Sequence, residues 1–367
     1  MKKILSLEIE NNRIFGLDLL RCLAIIFVFL THNEPLLPKE YARIIQLFYF
    51  DGVSVFFVLS GFLIGFIFIK VFEKHGSNLK QLKNFWIRRW FRTLPTYYLY
   101  VFIISILSKV LIKGFSLKIT FPYFIFSQNL FKNTPGFFGE SWSLTIEEWF
   151  YLVIPFLVVF STQLLKIPIK KTLIFIIAFF MVFSPVIRYT MYEKNLLPPG
   201  FYQILIYRTD SIMYGVLGAY IAYYYQAWWN KFQKPIFYMG ILLFIIWKII
   251  SDFYSSSFFY ANISFPLFSF ATLCAIPLLS NFKIKNYNLL HKIITYVSLI
   301  SYSLYLVHYS LVKKLIIDIV LLPEIAELNV VLIYFMKNSV YWVASFAIAF
   351  FSYKYFEVPT TKLRNKF

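Results

Sequence analysis

The sequence predicts an all-α integral membrane protein in which about ten transmembrane helices form a bundle. Two observations favour this class: 60% of the residues are hydrophobic against 14% charged, and the mean hydropathy is +0.68. A typical soluble protein is about half apolar and about a quarter charged. A soluble domain of 367 residues could not bury this much apolar surface, because much of its surface stays in water. We therefore expect the apolar residues to face lipid.

Ten apolar segments are each long enough to cross a bilayer, which requires about 20 helical residues. They lie at residues 16–37, 47–70, 94–112, 142–163, 171–191, 204–226, 235–252, 262–281, 295–318 and 329–353. A shorter apolar stretch at 119–131 is interrupted by Pro122 and by polar residues, so we interpret it as re-entrant or interfacial. No internal repeat or linker divides the chain, and we interpret residues 1–367 as one membrane domain with no appended soluble domain.

Basic residues give the chain a net charge of +19 and lie mostly in the gaps between the apolar segments. The N-terminus carries Lys2 and Lys3, and the gap after the second segment is strongly basic, whereas residues 253–261 contain no base. Since basic loops stay in the cytoplasm, this pattern predicts a multi-pass protein of the cytoplasmic (inner) membrane with both termini cytoplasmic. It does not favour nucleic-acid binding, which uses basic patches on soluble domains.

The two cysteines give no sign of a disulfide framework or of a metal site. Cys22 and Cys274 both lie within apolar segments. Neither belongs to a C-x-x-C pair, the spacing typical of zinc ligands and redox centres. We expect no metal in this protein.

Arg21 and His32 lie in the first apolar segment, where ionisable side chains are costly and mark candidate functional sites. They are eleven residues apart, so on a helix both point to nearly the same side, about 16 Å apart along the axis. Asp18 lies three residues before Arg21, within reach of an ion pair. The alternative is that Arg21 extends to the lipid headgroups and that His32 is a hydrogen-bonded residue near the outer surface.

Further ionisable residues occur in later segments, and each also has a purely structural interpretation. Glu147 and Glu148 lie about one turn inside the fourth segment, where one of them should face the bundle, or both form an acidic pair at the interface. His308 lies among Ser and Tyr residues of the ninth segment, where it could also make a single contact between helices. Arg208 and Asp210 could form an ion pair at the outer mouth of the sixth segment, or cap its helix.

Taken in order, these residues resemble the motifs of the acyltransferase-3 family of polytopic membrane O-acyltransferases over almost the whole chain. Arg21 and His32 match its signature of a basic residue and a histidine separated by ten residues, and residues 56–65 are similar to its second-helix motif. The further matching residues are Arg89, Arg92 and Pro95; Trp142, Ser143, Leu144, Glu147 and Tyr151; Arg208, Asp210 and Gly215; His308; and Glu357 and Pro359.

The resemblance implies a membrane O-acyltransferase that moves an acyl group, often acetyl, from cytoplasmic acyl-CoA to a hydroxyl of a cell-surface or lipid-linked glycan. Acyl-CoA would be a donor substrate, and no permanently bound cofactor is expected. Typical acceptors in the family are lipopolysaccharide, capsule, exopolysaccharide and peptidoglycan sugars. Some members carry an additional soluble esterase-like domain. With none expected here, the membrane domain or a separate periplasmic or extracellular transferase would complete the acyl delivery.

Transfer from a thioester to a hydroxyl needs a general base or a nucleophile. His32 suits either role, since imidazole exchanges its proton near neutral pH, and we prefer Glu147 as its partner. Arg89 and Arg92, three residues apart, would clamp the phosphates of acyl-CoA, and Arg21 would guide the donor towards His32. The matching motifs also predict these substrate-binding residues: Trp142, Ser143, Arg208, Asp210 and His308.

Two other classes of function are compatible with a basic polytopic protein. A glycan polymerase that uses a lipid-linked sugar would need no clamp for CoA phosphates. A transporter or flippase of acylated lipids would be non-enzymatic, and such proteins often contain inverted repeats, of which this sequence shows none.

Overall fold

A computed structural model describes residues 13–47, 50–133, 136–253, 256–284, 287–325 and 327–366, apart from the side chain of Asn365. These residues form helices and no β-strand, which confirms the predicted all-α class. Lys2 and Lys3 lie outside the described residues. The α-helices of nine or more described residues are α1 (Phe15–Asn33), α2 (Lys39–Leu47), α3 (Gly52–His75), α4 (Leu79–Leu111), α5 (Trp142–Gln163), α6 (Ile169–Glu193), α7 (Thr209–Tyr224), α8 (Gln233–Phe253), α9 (Ser264–Leu279), α10 (Leu289–Val307) and α11 (Val330–Ser352).

Eight helical segments of the described chain are long and apolar enough to cross a membrane. Their bounds are Phe15–Leu36, Lys39–His75, Leu79–Leu111, Gly139–Gln163, Ile169–Glu193, Gln233–Phe253, Phe259–Leu279 and Val330–Lys362. The predicted count of ten is therefore not confirmed. The predicted span at 204–226 consists of a 3₁₀ turn at Leu205–Tyr207 and the 16 residues of α7. The α-helix rises about 24 Å and falls short of a lipid core of about 30 Å. The predicted span at 295–318 is divided between α10 and a long π-helix, His308–Leu321, that follows it directly.

Polar caps fix where several of these helices begin. The Asp51 carboxylate accepts a hydrogen bond from the backbone N–H of Ser54 at the start of α3, at 3.0 Å. Asn78 caps α4 in the same way. Asn288 and His291 form a reciprocal capping box at the start of α10. Each cap satisfies an N–H group that has no partner within its own helix.

Helices α3 and α7 cross at very short distance because glycines line their contact. A Cβ atom on Gly61 would lie 2.1 Å from the carbonyl oxygen of Ile212, and one on Gly215 would lie 2.0 Å from that of Val58. Gly61 and Gly65 are four residues apart, the spacing by which small residues let membrane helices pack closely. The family-like segment 56–65 is therefore a packing surface in this fold.

Helix α4 is longer than the predicted third span, because it begins at Leu79 and runs unbroken for 33 residues. Arg89 and Arg92 therefore lie within this helix, whereas the sequence placed them before the span at 94–112. Residues 119–131 form only single-turn helices and turns, consistent with their re-entrant or interfacial interpretation. The hydroxyl of Tyr97 in α4 donates to the Tyr123 carbonyl of this segment at 2.9 Å.

The buried apolar residues form two clusters, and α1 contributes to both of them. Leu20 and Ala24 belong to a cluster built mainly on α3, α5 and α7. Ile25 and Phe29 belong to a second cluster with α4, α10 and the long π-helix. The polar side chains of α1 consequently lie inside the bundle.

Candidate active site

The polar residues of α1 face α10 and the long π-helix. Near the N-terminal end of α1, the Arg21 guanidinium lies 3.7 Å from the Asp18 carboxylate and 3.5 Å from the Ser298 hydroxyl. The Ser298 hydroxyl in turn donates to Asp18 at 2.8 Å. Near the other end, His32 Nδ1 lies 2.8 Å from His308 Nε2. Arg21 thus reaches α10 and His32 reaches the π-helix that directly continues it, so both point to one side of α1 as their eleven-residue spacing predicts.

The two histidines form a hydrogen-bonded pair whose proton positions follow from a third contact. His308 is fully buried, and its Nδ1 lies 2.8 Å from the carbonyl oxygen of Tyr305. A carbonyl only accepts, so His308 Nδ1 carries the hydrogen, and Nε2 of the neutral ring is an acceptor. His32 therefore donates through Nδ1, and its Nε2 keeps a lone pair with no hydrogen-bond partner among the described residues.

Glu147, the predicted partner of His32, instead contacts α4. Its carboxylate accepts a hydrogen bond from the Tyr151 hydroxyl at 3.0 Å and lies 3.6 Å from the Arg89 guanidinium. The partner of His32 is His308, so the preferred pairing was wrong. The sequence could not reveal this, because both candidate partners lie more than a hundred residues from His32.

The neighbouring carboxylate of Glu148 also faces α4, although the sequence predicted that only one of the two would face the bundle. It accepts a hydrogen bond from the Thr93 hydroxyl at 2.8 Å. Arg89 and Thr93 are four residues apart and therefore lie one above the other on α4. Adjacent carboxylates on α5 can consequently each meet one of them.

Arg21, Arg89 and Arg92 form an arginine cluster between α1 and α4. Arg89 donates to the Tyr151 hydroxyl at 2.6 Å, and its guanidinium lies 4.0 Å above the same ring. Arg92 is exposed and interacts electrostatically with Arg89 and with the buried Glu357, and Arg21 interacts with both Arg92 and Glu357. Three cations close together are a suitable site for phosphate groups.

Trp142 and Ser143, predicted to bind substrate, lie at the start of α5. Trp142 is buried, and its ring meets Tyr202 edge-on, with centroids 6.1 Å apart. The Tyr305 hydroxyl lies 2.7 Å from the Ser143 hydroxyl and donates to the Glu140 carbonyl at 2.8 Å. Since Tyr305 has one hydroxyl proton, Ser143 must be the donor of the other bond. Ser143 thus holds the side chain of Tyr305, whose backbone carbonyl accepts the hydrogen bond from His308 Nδ1.

Arg208 and Asp210 do not pair with each other. Arg208 donates to the Ser54 hydroxyl at 2.8 Å and lies 3.2 Å from the Asp51 carboxylate. Asp210 instead pairs with Arg188 of α6 at 2.7 Å. Residues two apart on a helix do not face each other, which explains the separate partners. Both side chains are buried and join α3, α6 and α7, and their predicted role in substrate binding stays a prediction.

The order of these motifs along the chain is that of a known protein family. Residues 14–354 match the sequence model of the acyltransferase-3 family, described as an acyltransferase domain. The chain belongs to this family. No solved structure matches the chain.

Several similar proteins are named as O-acetyltransferases. The peptidoglycan O-acetyltransferase OatA of Listeria monocytogenes is 36% identical over 160 residues, which are 40% of this chain and 24% of that protein. A proposed O-acetyltransferase of Staphylococcus aureus is 26% identical over 326 residues, 81% of this chain and 50% of that protein. A proposed peptidoglycan O-acetyltransferase of Bacillus subtilis, YrhL, is 29% identical over 223 residues, 57% of this chain and 32% of that protein. The chain thus spans half or less of the length of these relatives.

In this acyltransferase-3 protein the matched residues next to α1 form two groups. The arginine cluster lies towards its N-terminal end, and the histidine pair lies at its C-terminal end. No group of three or more His, Cys, Asp or Glu side chains that could hold a metal occurs in the part of the chain that the structure describes. The arrangement places three arginines at one end of α1 and, at the other, a hydrogen-bonded imidazole with one ring nitrogen free of partners among the described residues.

Other residues at the site were not found from the sequence. Arg188 lies inside a predicted span and was not recognised as the partner of Asp210. Lys313 and Lys314, near His32, lie in the predicted span at 295–318. A pair of lysines inside a span was itself a signal, because such residues are costly in lipid.

Proposed function

We propose that this protein is a membrane O-acyltransferase that transfers an acyl group, acetyl by analogy with its relatives, from cytoplasmic acyl-CoA to a hydroxyl of a cell-surface glycan. The family and the names of its relatives support the acetyl group and a glycan acceptor such as peptidoglycan. The observation that carries the proposal is the His32 ring, held through Nδ1 by His308 with the lone pair of Nε2 available.

In the proposed reaction, His32 acts as the general base. Its Nε2 takes the proton of the acceptor hydroxyl while the hydroxyl oxygen attacks the thioester carbonyl. The new bond joins this oxygen to the acyl carbon, the bond to sulfur breaks, and the CoA thiolate takes up the proton. The His32 imidazolium keeps its hydrogen bond to His308 throughout, because His308 Nε2 remains an acceptor.

The arginine cluster suits the phosphates of the donor. Arg92 is exposed, whereas Arg89 is engaged by Glu147 and Tyr151. We place this end of α1 at the cytoplasmic face of the membrane. Acyl-CoA is found in the cytoplasm, and segments rich in Lys and Arg tend to stay on that side of the membrane. The donor's extended arm would then bridge the distance of about 16 Å from Arg21 to His32 along α1. The glycan would approach from the opposite face, directly or through a separate transferase.

The proposal is tested with acetyl-CoA labelled in its acetyl group, offered to membranes that contain the protein and a glycan acceptor. His32→Ala should reduce labelling of the glycan by about 100-fold or more, since it removes a general base. His75→Ala is the matched control, because His75 is exposed at the end of α3.

Both variants are compared at equal amounts of protein in the membrane. Normal labelling by His32→Ala would remove His32 from the mechanism. If the unchanged protein labels no glycan but moves acylated lipid between leaflets, the transporter interpretation replaces the acyltransferase.

A further inference from the structure

Three side chains of the long π-helix lie near His32 at the C-terminal end of α1. The Tyr309 ring lies 4.6 Å from the His32 ring, centroid to centroid, at an angle of 36°. Lys313 and Lys314 follow on the same helix, His308–Leu321. None of the three residues has a role in the mechanism above.

The two ammonium groups lie beside the Tyr309 ring. Nζ of Lys314 is 4.9 Å from the ring centroid, and Nζ of Lys313 is 5.5 Å from it. Both are close enough to act electrostatically on His32. Lys314 donates to the Gly136 carbonyl at 3.0 Å, and each ammonium has three hydrogens, so both lysines keep donors for a ligand.

The π-helix itself brings these side chains together. Its hydrogen bonds join residues five apart, so one turn takes between four and five residues. Lys313 and Lys314, four and five positions after Tyr309, therefore lie on either side of the point one full turn after it and next to its ring. In an α-helix, the residue five positions on would be rotated by about 140° from the first. Single turns of π-helix are frequent at functional sites, and here the π-helix begins at His308.

Two carboxylates, Glu140 and Asp318, act electrostatically on Lys314, and Asp318 also pairs with Lys313. Glu140 is buried, and its two oxygens accept hydrogen bonds from the backbone N–H and the hydroxyl of Ser310. Lys313 lies 3.4 Å from Asp318, whose side chain is 41% exposed against 14% for Lys313. This contact uses one of the three hydrogens of the Lys313 ammonium, so the other two remain for an anionic ligand.

We propose that Tyr309, Lys313 and Lys314 form the acceptor subsite, and that it takes an acidic saccharide. The Tyr309 ring would pack against the apolar face of a sugar, and the lysines would hold its carboxylate or phosphate. A hydroxyl of the same sugar then lies beside His32 Nε2. This inference rests on the proposed function, because the subsite is defined by its distance from the base.

The test uses the purified full chain in phosphatidylcholine nanodiscs, labelled acetyl-CoA and cell-wall glycan from the source cells. The glycan is supplied untreated, with its carboxylates converted to amides, or with its phosphates removed. One of the two treatments should reduce transfer at least about tenfold, because the modified sugar loses its charge-assisted hydrogen bonds to the lysines. The treatment that does so identifies the anion as carboxylate or phosphate.

Variants connect that selectivity to the subsite. The double substitution Lys313→Gln and Lys314→Gln should raise the KM for untreated glycan about tenfold or more, with kcat changed less than the KM. The same variant should treat untreated and modified glycan alike. Tyr309→Phe should keep transfer, whereas Tyr309→Leu should raise the KM. Lys292→Gln, an exposed lysine of α10, is the matched control.

The outcomes separate this inference from the proposed function. Equal transfer to all three glycans, with His32-dependent activity intact, would overturn the acidic acceptor and leave the acyltransferase standing. A lysine effect that appears only in nanodiscs containing phosphatidylglycerol would assign the lysines to lipid headgroups and overturn the subsite. Absence of transfer by the unchanged protein to untreated glycan would overturn both.

Discussion

At the scale of single residues, His308 decides which nitrogen of His32 can act as a base. Its own Nδ1 is bound to the Tyr305 carbonyl, so its Nε2 must accept from His32. The His308 ring is packed on Phe29, with centroids 5.1 Å apart, which fixes its orientation. In the proposed mechanism His32 is therefore the base and His308 is the residue that positions it.

Replacement of His308 tests this relation. His308→Ala should lower kcat by about 10–100-fold, since His32 loses the acceptor that fixes its tautomer and orientation. The KM for acetyl-CoA should stay within about twofold, because the arginine cluster is distant along α1. His308→Gln should recover part of the activity, since an amide oxygen can also accept from His32. The measurement is the steady-state rate of labelled acetyl transfer.

Equal losses in His308→Ala and His308→Gln would contradict the role of the acceptor. A rise in KM without a fall in kcat would instead place His308 in substrate binding, the role that the sequence motifs predicted.

At the scale of helices, the crossing of α3 and α7 depends on the absence of side chains. Gly215→Ala places a Cβ atom 2.0 Å from the Val58 carbonyl oxygen, so the two helices must separate. We expect a loss of stability of about 1–3 kcal/mol, the usual cost of overpacking a core. The measurement is thermal unfolding of the protein in detergent.

Gly136→Ala is the matched control, because a Cβ atom there meets nothing within 4 Å. If both alanine variants unfold at the temperature of the unchanged protein, the close approach of α3 and α7 is not needed for stability.

Helix boundaries also explain where the sequence interpretation and the structure differ. Hydropathy located the apolar segments but could not detect the change from α-helix to π-helix at His308 or the early start of α4 at Leu79. Hydropathy depends on residue type alone, so it has the same value whichever hydrogen-bonding pattern the backbone adopts. These two elements nevertheless place Arg89 beside Glu147 and Tyr309 beside His32.

At the scale of the whole molecule, two ion pairs, one of them fully buried, join three helices away from the histidine pair. Asp210 and Arg188 are both fully buried and lie 2.7 Å apart. Asp210→Leu should destabilise the protein by about 3–5 kcal/mol, because it leaves a guanidinium buried without its partner. The double variant Asp210→Leu with Arg188→Met should be more stable than this single variant, since it buries no unpaired charge. Thermal unfolding in detergent measures both effects.

Acetyl transfer by the double variant distinguishes a structural pair from a substrate site. An unchanged KM for the glycan would assign Asp210 to the fold alone, whereas a raised KM would support its predicted role in substrate binding. A single variant as stable as the double variant would contradict the cost of the unpaired charge.

The sequence alone determined the membrane class, the approximate apolar segments and the alignment of Arg21 with His32. The membrane class and the apolar segments follow from local composition, and the alignment of the two residues follows from the fixed period of a helix. Neither needs information about residues far apart in the chain. Only the tertiary structure decided that His308 and not Glu147 holds His32, and that Arg208 and Asp210 have separate partners. Such pairings join residues far apart in the chain, and the register between packed helices selects one partner among several of suitable chemistry.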